Sequence, residues 1–169
     1  LGLPEAKTFI PTKGGEYPKP GHFTGPFIVK PAVKREFQRY SNKKAIQVGS
    51  VGELKRRLAE EFSHVPIDHL LYQELIPGGG EQQWSYAGLF DEGEPIAAFT
   101  ACRLRQHPPD FGRASTCVVA TYDEEVERLS RKALAACKYS GLAEVEWKRD
   151  ARDGSLKFPR SSSDTVLRS

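Results

Sequence analysis

The sequence predicts an α+β protein built from two small lobes, each a mostly antiparallel sheet with one helix packed on a face. Two observations support this prediction. Short β-rich runs surround only two stretches with helical periodicity, which gives the order β-β-α-β followed by β-β-β-α-β-β. A proline–glycine break at residues 77–80 separates the two halves, and we expect a hinge there.

The first half is predicted to contain three strands and one helix, after a connector rich in Pro and Gly at residues 1–25. The helix follows Ser50, because Ser50 and Glu53 form a capping box. Its buried stripe consists of apolar residues at helical spacing, namely Val51, Leu54, Leu58 and Phe62. The strands are expected at Pro26–Val33, Ala45–Val48 and His69–Ile76.

The second half opens with a hairpin, in which two alternating runs meet at a turn over Asp91–Gly93. A further strand is expected at Ser115–Tyr122. Thr121 and Glu124 form a second capping box, which predicts a helix to about Tyr139 with Gly141 just past its end. The expected buried stripe of this helix is Val126, Leu129, Ala133, Ala136 and Cys137.

The last predicted element is a hairpin with an incomplete second arm. One strand runs through Trp147, a turn covers Asp150–Gly154, and the return strand stops at Phe158, where Pro159 and a Ser-rich tail follow. The chain also lacks Met, and "LGLPEAKTF" resembles the interior of a larger protein. We therefore expect a fragment, or a chain from which segments are missing.

Composition narrows the class of protein. The 169 residues are 38% hydrophobic and 28% charged, which is typical of a globular protein and not of a disordered one. The net charge of +3 comes from 25 basic and 22 acidic residues spread along the chain, so charge alone does not indicate nucleic acid. No apolar run approaches the roughly 20 residues of a membrane span. The three cysteines have no metal-ligand spacing, and we expect them to be reduced and buried in a cytosolic protein.

Two features of the first half could bind a ligand. Lys30 lies within an apolar run, and it either meets an anion or extends into water from an edge strand. In "YQELIPGGGE" a strand ends at Glu74 and glycines follow before Glu81. Backbone groups at such a strand end can bind a flat heterocycle, although an ordinary linker between lobes has the same pattern.

Two features of the second half are also candidate ligand-binding sites. Arg103 and Arg105 alternate with apolar residues, so both are expected on one strand face. There they could bind a polyphosphate, or they could face solvent and pair with nearby acidic side chains. Glu144 and Glu146 share a face of their strand, opposite Val145 and Trp147, and could hold a divalent cation or simply be solvated. The nucleotide and protease motifs GxxxxGK[ST], GxSxG and HExxH are absent from the sequence.

Taken in order, the apolar-strand Lys, the strand end "QELIPG", the Arg pair and "GLAEVEWKRDARDG" resemble the ATP-grasp superfamily. The resemblance runs from "LGLP" to Phe158 and favours the carboxylate–amine ligase branch, with likeness to the ATP-grasp domains of carbamoyl-phosphate synthases and D-aspartate ligases. It implies two α+β lobes with a nucleotide bound between them. The implied boundaries are a connector at 1–25, lobes at 26–76 and 82–158, a hinge at 77–81, and a truncated or disordered tail at 159–169.

The resemblance implies ATP and Mg²⁺ as cofactors and assigns roles residue by residue. Lys30 matches the lysine that holds phosphate oxygens, and Lys44 is a second candidate in the flap-like basic loop 34–44. Arg105 and Arg103 match the arginine that stabilises the transferring phosphoryl group, and Glu146 matches the first acidic Mg²⁺ ligand. The adenine hinge corresponds to Gln73, Glu74, Leu75 and Ile76, and Glu81 matches the acid on the ribose hydroxyls.

The implied reaction is phosphorylation of a small carboxylate by ATP, followed by attack of an amine on the acyl phosphate. The implied setting is the cytoplasm, without nucleic acid or membrane partners, and a homodimer is compatible with the sequence. The family's return strand carries a Glu-x-Asn pair before Pro-Arg, whereas Phe158 here runs directly into Pro159 and Arg160. We therefore expect the isolated chain to lack ligase activity.

Two other functions fit the sequence. A non-catalytic nucleotide-binding module would explain the incomplete metal-binding arm. A basic nucleic-acid-binding domain would use Lys34–Lys44 with Phe37 and Tyr40, but the acid-rich helices downstream oppose it. Salt-sensitive oligonucleotide binding that survives Lys30→Ala would favour the latter.

Overall fold

A computed structural model describes residues 2–12, 15–32, 45–107 and 114–159. The described chain divides into two compact units. The amino-terminal unit comprises Ala6–Leu75, and the carboxyl-terminal unit comprises Ile76–Pro159 together with residues 2–5. The two sheets and two helices confirm the predicted α+β class.

The amino-terminal unit is a four-stranded antiparallel sheet with one helix on a face. The strands are arranged in the order β1-β4-β2-β3. A short 3-10 helix at Ile67–His69 leads into the last strand. The bounds are β1 Thr8–Phe9, β2 Phe27–Pro31, β3 Ile46–Val48, α1 Val51–Glu61 and β4 Leu70–Glu74.

Helix α1 forms as its apolar spacing predicts. Leu54, Leu58 and Phe62 are buried in one core with residues of β2, β3 and β4, and Val51 packs partly buried against it. The side chain of Ser50 caps the helix by accepting a hydrogen bond from Glu53 N at 3.3 Å. The second half of the capping box differs from the prediction, because the Glu53 carboxylate accepts from Gly49 N at 3.0 Å.

Strand β1 was not predicted from the sequence. It is only two residues long, and it adds to the sheet by pairing Thr8 with Gln73 and Phe9 with Tyr72. Phe23, also from the Pro- and Gly-rich stretch, joins the core, where its ring stacks on Phe27 with centroids 4.7 Å apart. The first 25 residues therefore contribute a strand and a core aromatic residue to this unit.

The carboxyl-terminal unit is a five-stranded antiparallel sheet in the order β7-β6-β5-β8-β9. The predicted first hairpin is confirmed: Asp91 pairs with Glu94 across a two-residue turn in which Glu92 and Gly93 both have positive φ. A Cβ atom at Gly93 would lie 2.5 Å from Ala135 Cα, so glycine is required here. The bounds are β5 Gln83–Asp91, β6 Glu94–His107, β7 Ala114–Ala120, α2 Glu124–Ala136, β8 Gly141–Arg149 and β9 Leu156–Lys157.

Helix α2 differs from the prediction at both ends. Its N-cap is Asp123, whose carboxylate accepts from Val126 N at 3.0 Å, and not Thr121. The helix ends at Ala136, and the left-handed residue after it is Lys138 with φ of 46°, well before Gly141. Of the predicted buried stripe, Ala133 is only half-buried, and Ala136 and Cys137 are exposed. The buried residues of α2 are Val126, Leu129, Ser130 and Leu134.

The expectation of three buried cysteines is wrong for two of them. Cys102 in β6 is buried, but Cys117 and Cys137 are exposed. Cys117 lies in β7 at the edge of the sheet, and Cys137 lies beyond the last helical residue of α2. All three thiols are free, as the sequence predicts.

Neither helix of the described chain has the length and apolar character that a membrane span requires.

Candidate functional site

Lys30 lies on the sheet face of the amino-terminal unit that is opposite α1. In β2 it alternates with Phe27, Val29 and Pro31, which are buried, while Lys30 itself is half-buried. Its Nζ donates to Gln73 Oε1 at 2.8 Å, and Gln73 is only 1% exposed. The ammonium group is therefore held at a defined place by an uncharged, buried amide.

The predicted adenine hinge follows directly from β4. Glu74 N donates to Lys7 O at 2.9 Å, and Leu75 N donates to Pro26 O at 3.0 Å. The Glu74 carboxylate also accepts from Lys7 N at 3.0 Å. The backbone of this strand end is therefore anchored from both sides, and Ile76, 6% exposed, is the first residue of the carboxyl-terminal unit.

The glycine run of the carboxyl-terminal unit is held by the end of β8. Lys148 Nζ donates to Gly78 O at 2.7 Å, and Ala151 N donates to Pro77 O at 3.3 Å. Burial lowers the pKa of the Lys148 ammonium, and the nearby Glu81 carboxylate opposes that shift. The backbone of the run is fixed in place by these two contacts.

Glu81 lies in a 3-10 turn at Gly80–Gln82. Its carboxylate accepts from Gly79 N at 3.2 Å, and its carbonyl accepts from the Cys102 thiol at 3.2 Å. Burial raises the pKa of that thiol, and the carboxylates of Glu81 and Asp123 act in the same direction. Cys102 is therefore placed to pack and donate, and not to act as a thiolate.

Arg103 and Glu146 form an ion pair on one face of the five-stranded sheet. Their closest atoms, Arg103 Nη2 and Glu146 Oε1, are 3.1 Å apart. Arg103 also donates to the side chain of Gln83, and only 16% of its side chain is exposed. A guanidinium and a carboxylate in this arrangement can bind a phosphate and a cation respectively, or compensate each other when neither is present.

Arg105 has a different environment. The pairing of β6 with β7 changes register between Arg103 and Arg105, and Arg105 is exposed. This irregularity interrupts the strict alternation from which a shared face was predicted. Arg103, and not Arg105, makes the contact with Glu146.

Glu144 and Glu146 do share a face, as predicted, and Val145 and Trp147 are buried on the other side. Glu144 accepts a hydrogen bond from Ser85 Oγ at 2.8 Å. Among the described residues no group of three His, Cys, Asp or Glu side chains is placed to hold a metal ion. The described chain therefore offers two neighbouring carboxylates as candidate cation ligands, each with a polar partner already in place.

Some residues predicted to be functional lie outside the described residues, and some contacts in the structure were not predicted. Lys44 and the whole of loop 34–44 fall outside the described residues, as does the chain from Arg160 onward. Sequence reasoning missed Thr8, Ser85 and Lys148. Only Lys148 carried a local signal, since strand alternation places it on the same face as Glu146.

Several solved structures are similar to this chain in fold. An L-amino acid ligase from Bacillus licheniformis matches 93% of this chain at 17% identity and a TM-score of 0.55, over 35% of its own length. A D-alanine–D-alanine ligase from Bacillus anthracis, complexed with ATP, matches 98% of this chain at 18% identity and a TM-score of 0.57, over 53% of its length. An N5-carboxyaminoimidazole synthase from Aspergillus clavatus, in complex with ADP and 5-aminoimidazole ribonucleotide, matches 92% at 13% identity and a TM-score of 0.57, over 39% of its length.

These likenesses show that the chain has the ATP-grasp fold, as the order of motifs predicts. The chain spans about a third to a half of the length of these proteins. No protein-family model matches the sequence. No curated protein sequence matches it either.

Proposed function

We propose that this chain is the nucleotide-binding part of an ATP-dependent ligase that joins a carboxylate to an amine. The observation that supports the proposal is the fold shared over nearly the whole chain with ligases, one complexed with ATP and another with ADP. Since a fold hosts many functions, the proposal also depends on individual side chains. Lys30, Arg103 and Glu146 are of the types that phosphate and a bound cation require.

In this proposal Lys30 binds phosphate oxygens of ATP, and Lys44 is a second contact. The segment Gln73–Ile76 receives the adenine, and Glu81 accepts from the ribose hydroxyls. Because Leu75 N–H already donates to Pro26 O, the adenine would contact Ile76 N–H and carbonyl oxygens of the segment. Arg103 and Arg105 stabilise charge on the phosphoryl group that is transferred.

The carboxylates on the sheet face suit Mg²⁺ if phosphates of the nucleotide and water supply its other ligands. Mg²⁺ is commonly bound by one or two carboxylates together with substrate phosphates and water, so a protein cage is not required. Glu146, and Glu144 beside it, would supply the carboxylate oxygens. When bound, the ion would neutralise charge on the phosphates.

The proposed reaction has two steps. An oxygen of a small carboxylate attacks the γ-phosphorus of ATP, and the bond to ADP breaks, which gives an acyl phosphate and ADP. An amine then attacks the acyl carbon, and inorganic phosphate leaves with the former bonding pair. This chemistry depends on positioning and charge stabilisation more than on acid–base side chains.

The test is calorimetric titration of the chain with ATP and with ADP, each with and without MgCl₂. We expect binding, and we expect Lys30→Met to weaken it by about tenfold or more because a charge-assisted contact is lost. Lys19→Met is the matched control, since Lys19 is exposed in the same unit. Arg103→Met should also weaken ATP binding, whereas Arg131→Met, which loses a comparable ion pair with Glu94 at 3.1 Å, should not.

Turnover is measured separately, by ADP release and hydroxamate formation when carboxylates and hydroxylamine are added. Absence of ATP binding at millimolar nucleotide would refute the proposal. Binding without turnover, in this chain and in a longer one that carries it, would instead support a non-catalytic nucleotide-binding module. Salt-sensitive oligonucleotide binding unaffected by Lys30→Met would favour a nucleic-acid-binding domain.

A further inference from the structure

The buried side chain of Gln73 connects Lys30 to strand β1. Lys30 Nζ donates to Gln73 Oε1 at 2.8 Å, and Gln73 Nε2 donates to Thr8 Oγ1 at 3.0 Å. Thr8 Oγ1 in turn donates to Ala6 O at 2.8 Å. A continuous chain of hydrogen bonds therefore runs from the ammonium group to a backbone carbonyl.

The register of the sheet brings these side chains together. Gln73 in β4 lies between Thr8 of β1 on one side and Ile28 of β2 on the other. Lys30 is two residues from Ile28 on the same face of β2, so it is the diagonal neighbour of Gln73. The face opposite α1 thus carries Thr8, Gln73 and Lys30 in one row.

The direction of the hydrogen bonds in this row is fixed. A hydroxyl group has one proton, and Thr8 uses that proton on Ala6 O, so toward Gln73 it can only accept. Gln73 must therefore turn its NH₂ group toward Thr8 and its carbonyl oxygen toward Lys30. The reverse orientation would point an NH₂ group at an ammonium group and leave two donors facing each other.

Because the Gln73 amide is buried, losing this orientation would leave its polar atoms without hydrogen-bond partners. Gln73 is 1% exposed and Ala6 is 2% exposed, so neither the amide in the middle of the row nor the carbonyl at its end can exchange its partner for bulk water cheaply. Thr8 is further fixed because its backbone lies in the β1–β4 ladder. An ammonium group has three N–H donors, and the bond to Gln73 uses one of them and orients the side chain of Lys30.

We propose that Thr8 is a positioning residue for the nucleotide: by fixing the amide of Gln73, it holds the Lys30 ammonium in the place from which it binds phosphate. This inference rests on the proposed function and adds to it a residue that touches neither substrate nor phosphate. Its energetic effect is preorganisation, because the side-chain entropy of Lys30 is lost on folding and not on binding.

The experiment compares Thr8→Val, which keeps the shape and removes the hydroxyl group, with Thr8→Ser, which restores it. Titration with ATP and MgCl₂ should show about tenfold weaker binding for Thr8→Val and near-normal binding for Thr8→Ser. Thr24→Val controls for the substitution itself, since Thr24 is exposed in the same unit. Thermal unfolding of each variant identifies any that fail to fold.

A double-mutant cycle with Lys30→Met separates positioning from a general structural effect. Thr8→Val should weaken ATP binding in the wild-type background and have no further effect when Lys30 is already replaced. An equal loss in both backgrounds, or equal binding by Thr8→Val and Thr8→Ser, would overturn the inference.

A nucleotide-free measurement distinguishes failure of this inference from failure of the proposed function. The side-chain NH₂ protons of Gln73 can be followed by NMR, and their exchange with water should be faster in Thr8→Val than in the wild type and Thr8→Ser. If the wild type binds no ATP, the proposed function fails, while this measurement still tests the hydrogen-bond row. Unchanged exchange in Thr8→Val would show that Thr8 does not fix the amide.

Discussion

Asp150 is a buried carboxylate that organises the turn between β8 and β9. It is 1% exposed, and it accepts hydrogen bonds from Arg152 Nε at 2.9 Å and from Arg152 N at 3.0 Å. Its backbone closes the turn as well, through Asp150 N to Ser155 O at 2.8 Å and Gly154 N to Asp150 O at 2.7 Å. One residue therefore determines how β9 returns alongside β8.

The bonds from Arg152 hold the pKa of Asp150 below its usual value. The folded state therefore binds this proton more weakly than the unfolded state does. The resulting stability is present above the unfolded-state pKa of about 3.9 and is lost as the pH falls through the folded-state pKa.

We expect Asp150→Asn to lower the free energy of unfolding by about 2 kcal/mol at neutral pH. The difference from the wild type should shrink as the pH is lowered below about 4. Urea unfolding at a series of pH values measures this. Glu92→Gln is the control in the β5–β6 turn of the same unit, because Glu92 is exposed, and it should change stability little. A deficit for Asp150→Asn that is equally large at low pH would contradict the role assigned to the carboxylate.

At the scale of elements, α2 is joined to the sheet at two points. Near its middle, Trp147 Nε1 of β8 donates to Ser130 Oγ at 2.7 Å within the core. At its start, the Asp123 carboxylate accepts from Val126 N and also from Arg149 Nη2 of β8 at 2.7 Å. Asp123 therefore caps the helix and binds the neighbouring strand with the same group.

We expect Asp123→Ala to lower the free energy of unfolding by about 1–2 kcal/mol, because it removes the cap. Thr121→Ala should have little effect, since Thr121 lies outside the helix. Asp123→Asn retains a capping oxygen and loses the charge, so its effect should be intermediate and should depend on salt. Urea unfolding of the three variants measures these free energies. A larger loss of free energy of unfolding for Thr121→Ala than for Asp123→Ala would show that Thr121 is the cap.

At the scale of the whole molecule, each unit has its own hydrophobic core. One core surrounds Phe27, Val29 and Leu54, and the other surrounds Tyr86, Leu134 and Trp147. Helix α1 supplies Leu54 to the first and α2 supplies Leu134 to the second, and both side chains are fully buried.

We expect Leu54→Ala and Leu134→Ala each to cost about 2–5 kcal/mol, because each leaves a cavity in a packed core. Hydrogen exchange followed by mass spectrometry should show faster exchange in β2 to β4 for the first variant and in β5, β8 and α2 for the second. Leu142→Ala serves as the control, since Leu142 is 63% exposed. Faster exchange confined to the unit that was not altered would contradict this assignment of the cores.

Much of this architecture follows from local sequence patterns. The stripe of α1, the turn at Glu92 and Gly93, and the shared face of Glu144 and Glu146 were all predicted. Each depends on a repeat of 3.6 or 2 residues, or on a glycine that a tight turn requires, and such signals lie within a few residues of one another. The class of the protein and the order of its main elements were therefore determined by the sequence itself.

The tertiary structure decided which partner each polar group has. Gln73 and Thr8 are 65 residues apart in the chain, and Arg103 and Glu146 are 43 apart, so no local pattern indicates either contact. Strand β1 is too short to carry a periodic signal and exists because β4 offers it a ladder. Asp123, and not Thr121, caps α2, and Arg149 of β8 forms an ion pair with the same carboxylate. Register between distant strands, which depends on the packing of the whole unit, fixes these contacts, and therefore the position of Lys30 as well.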